Sequence, residues 1–395
     1  MALEKTTRIA RFFGNALLVL FAVAALGCLL PAIPVLGSLG PLLISPYGPW
    51  ITLLSLLGTG LVFAHWRRLH KSRTLLLAAL AAFAVVGTIY IQARQISVAK
   101  ANGVDIQLVK TLGLDAVQHT SAPAEFQSYG SHGDTPLSVA IYRPAAEAIK
   151  APVPIFVYVH GGGWGGGTLN DRAEDMRWFA DRGYLVFSIE YTLSSEDKPT
   201  WNVAEPQVAC ALTWIADHAA TFGGDPARLA LFGESAGGNL VLNVSYRANA
   251  GKLPSSCAGN LPHIAATIAS YPVLDAVRMY GNADVIAGRF APIMTTHYTG
   301  GTPTQYPERY TAISSATHIN PLAPPTLLLP GLSDHLLPPE PAYDFVDKAQ
   351  AAGIDARVIA FPYGEHSYDQ RNDSIGSQFF RGVTLQFLQQ HGVKP

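Results

Sequence analysis

Residues 233–237 read Gly-Glu-Ser-Ala-Gly and follow the apolar run Leu229-Ala230-Leu231-Phe232. A strand therefore runs into a tight turn, and Gly238-Asn239-Leu240-Val241-Leu242 opens a helix. A serine in that setting sits on a sharp, strained corner with its hydroxyl pointing outward. Gly233 and Gly237 leave no Cβ to collide with the neighbouring strand or helix. The Ser235 hydroxyl is a weak nucleophile at neutral pH. It needs an imidazole to take its proton, and a carboxylate to hold that imidazole's tautomer and stabilise its cation.

A strand–Gly-x-Ser-x-Gly–helix turn is the nucleophile elbow of the α/β-hydrolase fold, in which acid and then base follow the serine along the chain. Asp334 follows the strand Thr326-Leu327-Leu328-Leu329 within Pro330-Gly331-Leu332-Ser333-Asp334, and is the expected acid. The competing reading is an aspartate that caps a turn; Asp275 and Glu340 are weaker rivals. His366 follows Val358–Phe361 through Pro362-Tyr363-Gly364-Glu365 and is the expected base, against the plainer reading of a solvated loop histidine. His335 is adjacent to Asp334 and badly placed to bridge it to Ser235. His318 precedes Asp334, the wrong order. Acyl transfer also needs donors aimed at the developing oxyanion. The strand Ile155–Val159 ends in His160-Gly161-Gly162-Gly163-Trp164. The N–H groups of Gly162 and Gly163, with Gly161 as alternate, and of Ala236 are the expected donors. His160 is read as holding the loop. A glycine-rich loop alone can also cradle phosphate, but this one lacks a Gly-Lys-Ser/Thr ending. Trp164, Trp201, Tyr191, Phe187 and Tyr363 stay open between lining an apolar pocket and packing in the core.

The elements that must carry these groups fall into unlike parts. Only 14% of residues are charged, and the mean hydropathy is +0.21. From Phe12 to Trp66 there is no Asp, Glu, Lys or Arg. One span needs only about 20 apolar residues. The pattern predicts helices at about 10–33 and 49–66 joined by an uncharged, proline-containing loop, and a third at 74–93. Lys5, Arg8 and Arg11, and the basic loop Arg67, Arg68, Lys71 and Arg73, mark the cytoplasmic side. Residues after Arg94 are then expected outside, in the periplasm or exterior of a bacterial inner membrane. A cleaved signal peptide does not account for the second and third apolar stretches. The part after Arg94 is mildly acidic, and nothing in it suggests a nucleic-acid partner. Cys210 and Cys257 stay open between a disulfide and two buried thiols.

Beyond a linker at 95–125, strand-like runs (137–142, 155–159, 184–191, 229–232, 264–270, 326–329 and 357–361) alternate with helical stretches such as 204–222. This predicts a mostly parallel sheet with helices on both faces. The expected organisation is a three-span anchor at 1–94, the linker, and an α/β-hydrolase domain at 126–395, with 275–320 as a cap. Oligomeric state is not legible in the residues.

The run from His160 to Trp164, Gly-Glu-Ser-Ala-Gly-Gly at 233–238, and Thr221-Phe222-Gly223-Gly224-Asp225-Pro226-Ala227-Arg228-Leu229 before the elbow resemble the hormone-sensitive-lipase-like esterases and related carboxylesterases. Asp334 and His366 match that group's acid and base by order and spacing. The resemblance covers roughly residues 126–395. It implies hydrolysis of small-molecule or lipid carboxylic esters through an acyl-enzyme, with no metal or cofactor. Glu234 departs from the aspartate many members carry there, and the three membrane spans depart from the small cytosolic members. The alternative is a deacetylase or acyltransferase acting on cell-envelope glycans or lipids. A non-catalytic scaffold on the same fold would be expected to have lost one of these residues.

Overall fold

The computed structural model describes residues 2–70, 72–113, 125–145 and 152–395. These residues form two compact units. The first comprises Met1–Ala116, Gly331–His335 and Phe361–Phe380; the second comprises Val117–Pro330, Leu336–Ala360 and Arg381–Pro395. Part of the expected linker, 114–124, lies outside the described residues.

In the first unit, helices α1 (Ala2–Leu29), α2 (Leu36–Leu69) and α3 (Ser72–Ala101) precede the single turn α4 (Leu108–Thr111). The first three are long and apolar enough to cross a membrane. The loop expected before residue 49 is instead helix: α2 starts at Leu36 and contains Pro41, Pro46 and Pro49. The physical reason is that prolines inside an apolar helix are tolerated where neighbouring helices pack against it and local adjustments re-satisfy the freed backbone groups. Phe21, Ala25, Cys28, Ile44, Ile51 and Ile91 form the seam between these helices. Polar bonds cross it as well: Thr52 Oγ1 donates to Thr88 Oγ1 at 2.8 Å, and Gln92 Nε2 donates to Thr52 Oγ1 at 2.6 Å. The outer faces stay apolar, with Leu61 74% and Val86 67% exposed.

The second unit holds one eight-stranded sheet in the order β1-β2-β4-β3-β5-β6-β7-β8. The strands are β1 (Glu125–His132), β2 (Thr135–Tyr142), β3 (Val153–Val159), β4 (Leu185–Ile189), β5 (Gly224–Glu234), β6 (Ile264–Ser270), β7 (Thr326–Leu329) and β8 (Ala356–Val358). β1–β2 and β2–β4 pair antiparallel; every other pairing is parallel. Every residue of β3 and β4 is buried, so both faces of the sheet are covered. The covering and connecting helices are α5 (Ala173–Ala180), α6 (Ala204–His218), α7 (Ala236–Asn249), α8 (Ala276–Tyr280), α9 (Ala291–Thr299), α10 (Pro307–Ile313) and α11 (Glu340–Ala351), with α12 (Ile375–Gln390) belonging to the first unit up to Phe380 and to the second from Arg381. Strand β1 was not expected. The helix expected over 204–222 ends at His218 and passes into a 3₁₀ turn, Ala219–Phe222. The stretch 275–320 is helical, from α8 to α10.

Cys210, in α6, is bonded to Cys257, with Cα atoms 5.3 Å apart and a sequence separation of 47. Such a link limits the unfolded chain. Reduction is therefore expected to lower stability by about 2–4 kcal/mol. Thermal unfolding of the full chain with and without dithiothreitol checks this. An unchanged midpoint would show that the bond contributes nothing.

Candidate active site

The elbow is built where β5 meets α7. Ser235 has φ 53° and ψ −119°, a left-handed backbone that a non-glycine residue holds only when its surroundings enforce it. Here the Ser235 N–H donates to Ser270 O at 3.0 Å, and Ser235 O accepts from Asn239 N–H at 3.0 Å and Val273 N–H at 3.4 Å. The turn is also pressed against the end of β3. A Cβ on Gly237 would lie 2.2 Å from Val159 O and 2.4 Å from His160 O. Both obstacles are backbone, so neither can swing away. Gly237→Ala is expected to destabilise by on the order of 4 kcal/mol. A wild-type melting temperature for that variant would contradict this packing.

The glycine loop leaves β3 beside the elbow because β3 and β5 are neighbours, with Val159 opposite Gly233. A Cβ on Gly161 would sit 2.9 Å from Glu234 O and 3.3 Å from Ser235 Cβ. Gly162, Gly163 and Trp164 have φ of 103°, 59° and 58°. This left-handed run turns the backbone back on itself, and Gly166 N–H bonds Gly162 O at 2.9 Å. The second unit thus brings Gly161, Gly162 and Gly163 to the same end of the sheet as Ser235 and Ala236. α9 packs on the loop: Met294 lies where a Gly163 side chain would go, and Trp164 stacks on Tyr298 at 4.3 Å.

His160 supports this loop from behind. It stacks on Tyr191 at 4.4 Å, and its Nδ1 lies 2.8 Å from Gly161 O. A carbonyl only accepts, so Nδ1 carries the proton. Burial holds this imidazole below its usual pKa, in the neutral form. Tyr191 adds a bond from its hydroxyl to His160 O at 3.0 Å. Trp164, Tyr191 and Phe187 are buried in the core of this unit.

Glu234 anchors the elbow through buried charge. Its carboxylate accepts from Tyr158 Oη at 2.6 Å and from Arg172 Nη1 at 2.7 Å. Burial, then the Glu234 charge, push the Tyr158 phenol well up, so it stays protonated and donates. Arg172 Nε also meets Asp175 Oδ2 at 2.7 Å, and Asp175 Oδ1 meets Arg381 Nε at 2.6 Å. The alternating signs cancel along Glu234–Arg172–Asp175–Arg381. Arg172 and Asp175 are three apart in the chain, but no local spacing ties that pair to Glu234 or Arg381.

The first unit carries the other two expected residues. His366 Nδ1 lies 2.8 Å from Asp334 Oδ2, and the Asp334 side chain is fully buried. The carboxylate accepts, so Nδ1 holds the proton and Nε2 is left as the basic nitrogen. The two loops are zipped together: Leu332 N–H donates to Phe361 O at 3.0 Å, and Ser333 N–H to Gly364 O at 2.9 Å. His335 is engaged by Glu365. Its Nδ1 meets Glu365 Oε2 at 2.6 Å. The other rivals are used elsewhere: Asp275 caps α8 by accepting from Arg278 N–H at 2.9 Å, and His318 Nε2 meets Ala312 O at 2.7 Å. Tyr363 packs against the α1–α3 seam, with its ring 6.4 Å from that of Tyr90. It is a packing residue there, the plainer of the two readings left open for it.

The strand order and the elbow define an α/β-hydrolase. The sequence matches the BD-FAE family over residues 139–349, more than half of its length, and the chain belongs to that family. It is 28% identical over 244 residues to the probable carboxylic ester hydrolase LipM of Mycobacterium tuberculosis, a match covering 61% of this chain and 55% of that protein. It is 35% identical over 117 residues to the carboxylesterase NlhH of the same species, covering 29% of this chain and 35% of that one. The matches thus span about half of the first relative and a third of the second. Among solved structures, Thermogutta terrifontis esterase 2 phosphonylated by sarin superposes with a TM-score of 0.60 at 23% identity, covering 70% of this chain and 98% of that one.

Proposed function

We propose that the protein is a membrane-anchored serine hydrolase of carboxylic esters. Ser235 attacks the ester carbonyl while His366 Nε2 takes its proton and Asp334 stabilises the resulting imidazolium. The N–H groups of Ala236 and of Gly162 and Gly163, with Gly161 as alternate, hold the oxyanion. His366 then protonates the leaving alcohol and activates the water that clears the acyl-enzyme. The observation that carries this reading is the Asp334–His366 pair, with its proton on Nδ1, in a chain whose strained serine elbow abuts a glycine loop. The relatives named as carboxylic ester hydrolases support the reaction class.

The three apolar helices cross the membrane, with Lys5, Arg8, Arg11 and the 67–73 loop on the cytoplasmic side and the sheet-bearing unit outside. The Cys210–Cys257 bond supports an oxidising compartment. A membrane-impermeant fluorophosphonate probe tests the whole reading on intact cells. Wild type is expected to be labelled at Ser235 without permeabilisation. Labelling only after permeabilisation would reverse the orientation, and no labelling in either state would remove the nucleophile. Free acid released from p-nitrophenyl esters in water, against new ester formed with an added alcohol, separates hydrolysis from transfer.

A further inference from the structure

Residues 331–335 and 361–380 pack in one unit with α1–α3, and several of the bonds that hold them there come from buried side chains of α2 and α3. Ser45 of α2, 3% exposed, donates its hydroxyl to Tyr363 O at 2.9 Å and accepts from Glu365 N–H at 3.4 Å. Gln95 of α3, 1% exposed, donates Nε2 to Pro362 O at 3.1 Å. Arg371 Nη1 donates to Pro46 O at 3.2 Å and to Thr111 O at 3.0 Å. Tyr363 has φ 55°, a conformation that persists only where neighbours enforce it.

From that segment the restraint passes on to the imidazole. The buried Glu365 carboxylate accepts from His366 N–H at 3.0 Å, from His335 N–H at 2.7 Å and from His335 Nδ1 at 2.6 Å. One carboxylate thus clamps the backbone of the acid loop and of the base loop. Its own N–H rests on the hydroxyl of a residue in an apolar helix. In apolar surroundings a carbonyl that loses its donor finds no water to replace it, so the segment must move to regain a partner.

We infer that the helix bundle is a working part of the catalytic apparatus as well as an anchor. Ser45 and Gln95 are positioning residues for His366, acting through the Pro362–Glu365 segment and the Glu365 clamp. This rests on the reading of Asp334 and His366 as acid and base. It means that turnover of even a small water-soluble ester depends on side chains that never meet the substrate.

The test uses the full chain in detergent with p-nitrophenyl acetate. A misplacement of about 1 Å can cost about 10²-fold in rate, so Ser45→Ala/Gln95→Leu is expected to lower kcat about 10- to 100-fold. KM should stay within about twofold, because the change touches proton transfer and not binding. Ser45→Thr keeps the hydroxyl and should retain kcat within about threefold on the same argument. Thr52→Val/Gln92→Leu is the control, since it removes bonds of the same bundle that do not reach the loop. It should lower the melting temperature with kcat unchanged. An equal loss of kcat in the control would reduce the effect to general loosening and overturn the inference. So would a wild-type kcat in Ser45→Ala/Gln95→Leu. If that double variant does not fold, Ser45→Ala and Gln95→Asn carry the test separately, and unchanged kcat in both overturns the inference. Ser235→Ala keeps the two readings apart: its full activity sinks the serine-hydrolase reading, whereas its inactivity beside a wild-type Ser45→Ala/Gln95→Leu sinks only this one.

Discussion

Ser235→Ala is expected to cut kcat/KM on p-nitrophenyl acetate about 10⁴-fold or more, His366→Ala by a similar factor, and the double variant no further than either. The reason is that the two groups serve one step. Without the imidazole the hydroxyl keeps its proton, and without the hydroxyl the imidazole has nothing to activate. The double-mutant cycle is the informative measurement, because it tests whether Ser235 and His366 serve the one proposed proton transfer. Losses that multiply would show two independent contributions and remove that step from the mechanism. Asp334→Asn is expected to cost about 10⁴-fold by letting the imidazole take the wrong tautomer. Melting temperatures should stay close to wild type in Ser235→Ala, since the hydroxyl-to-methyl change leaves the elbow backbone bonds to Ser270 and Asn239 in place.

Arg172→Met is expected to destabilise the fold by about 3–5 kcal/mol, because it strips one cation from two buried carboxylates. The Arg172 side chain is 1% exposed, Glu234 2% and Asp175 7%. Asp175 keeps Arg381, so the larger share of the cost falls on Glu234, which then relies on the Tyr158 and Tyr271 hydroxyls. Adding Glu234→Gln removes the unpaired charge and should recover a large part of the loss. The midpoint of thermal unfolding for the single and double variants decides it. If Arg172→Met melts with wild type, or if the second change makes matters worse, the charge network is not what fixes the elbow. The functional cost should follow the structural one, since Glu234 immediately precedes Ser235.

Much of this protein was legible from short stretches read one at a time. The alternation of apolar strands and helices identified the sheet, because burial on both faces demands near-continuous apolar runs in β3, β4 and β5. Gly-Glu-Ser-Ala-Gly identified the turn, because few residue types fit a corner pressed between a strand and a helix. Length and absence of charge identified the three apolar helices. Strand β1 escaped notice because it is an edge strand with one buried residue, Tyr129, along its eight positions, and so carries no alternating pattern. The helical state of residues 36–48 is not legible locally because proline is a helix breaker in isolation, and its tolerance depends on packing against neighbouring helices.

Tertiary structure alone decided the rest. Two cysteines 47 positions apart are compatible with bond or thiol until the Cα atoms are seen at 5.3 Å. Only Arg172 and Asp175 are near in sequence; Glu234 and Arg381 are far from both, yet the four fold into one chain of alternating charge. Ser45 and Tyr363 meet across a sequence separation of 318 residues. Local patterns record the period of an element and the face it buries, because those depend on neighbours a few residues away. Which loop rests on which helix depends on contacts between residues that the chain keeps far apart, and no window of sequence contains both partners.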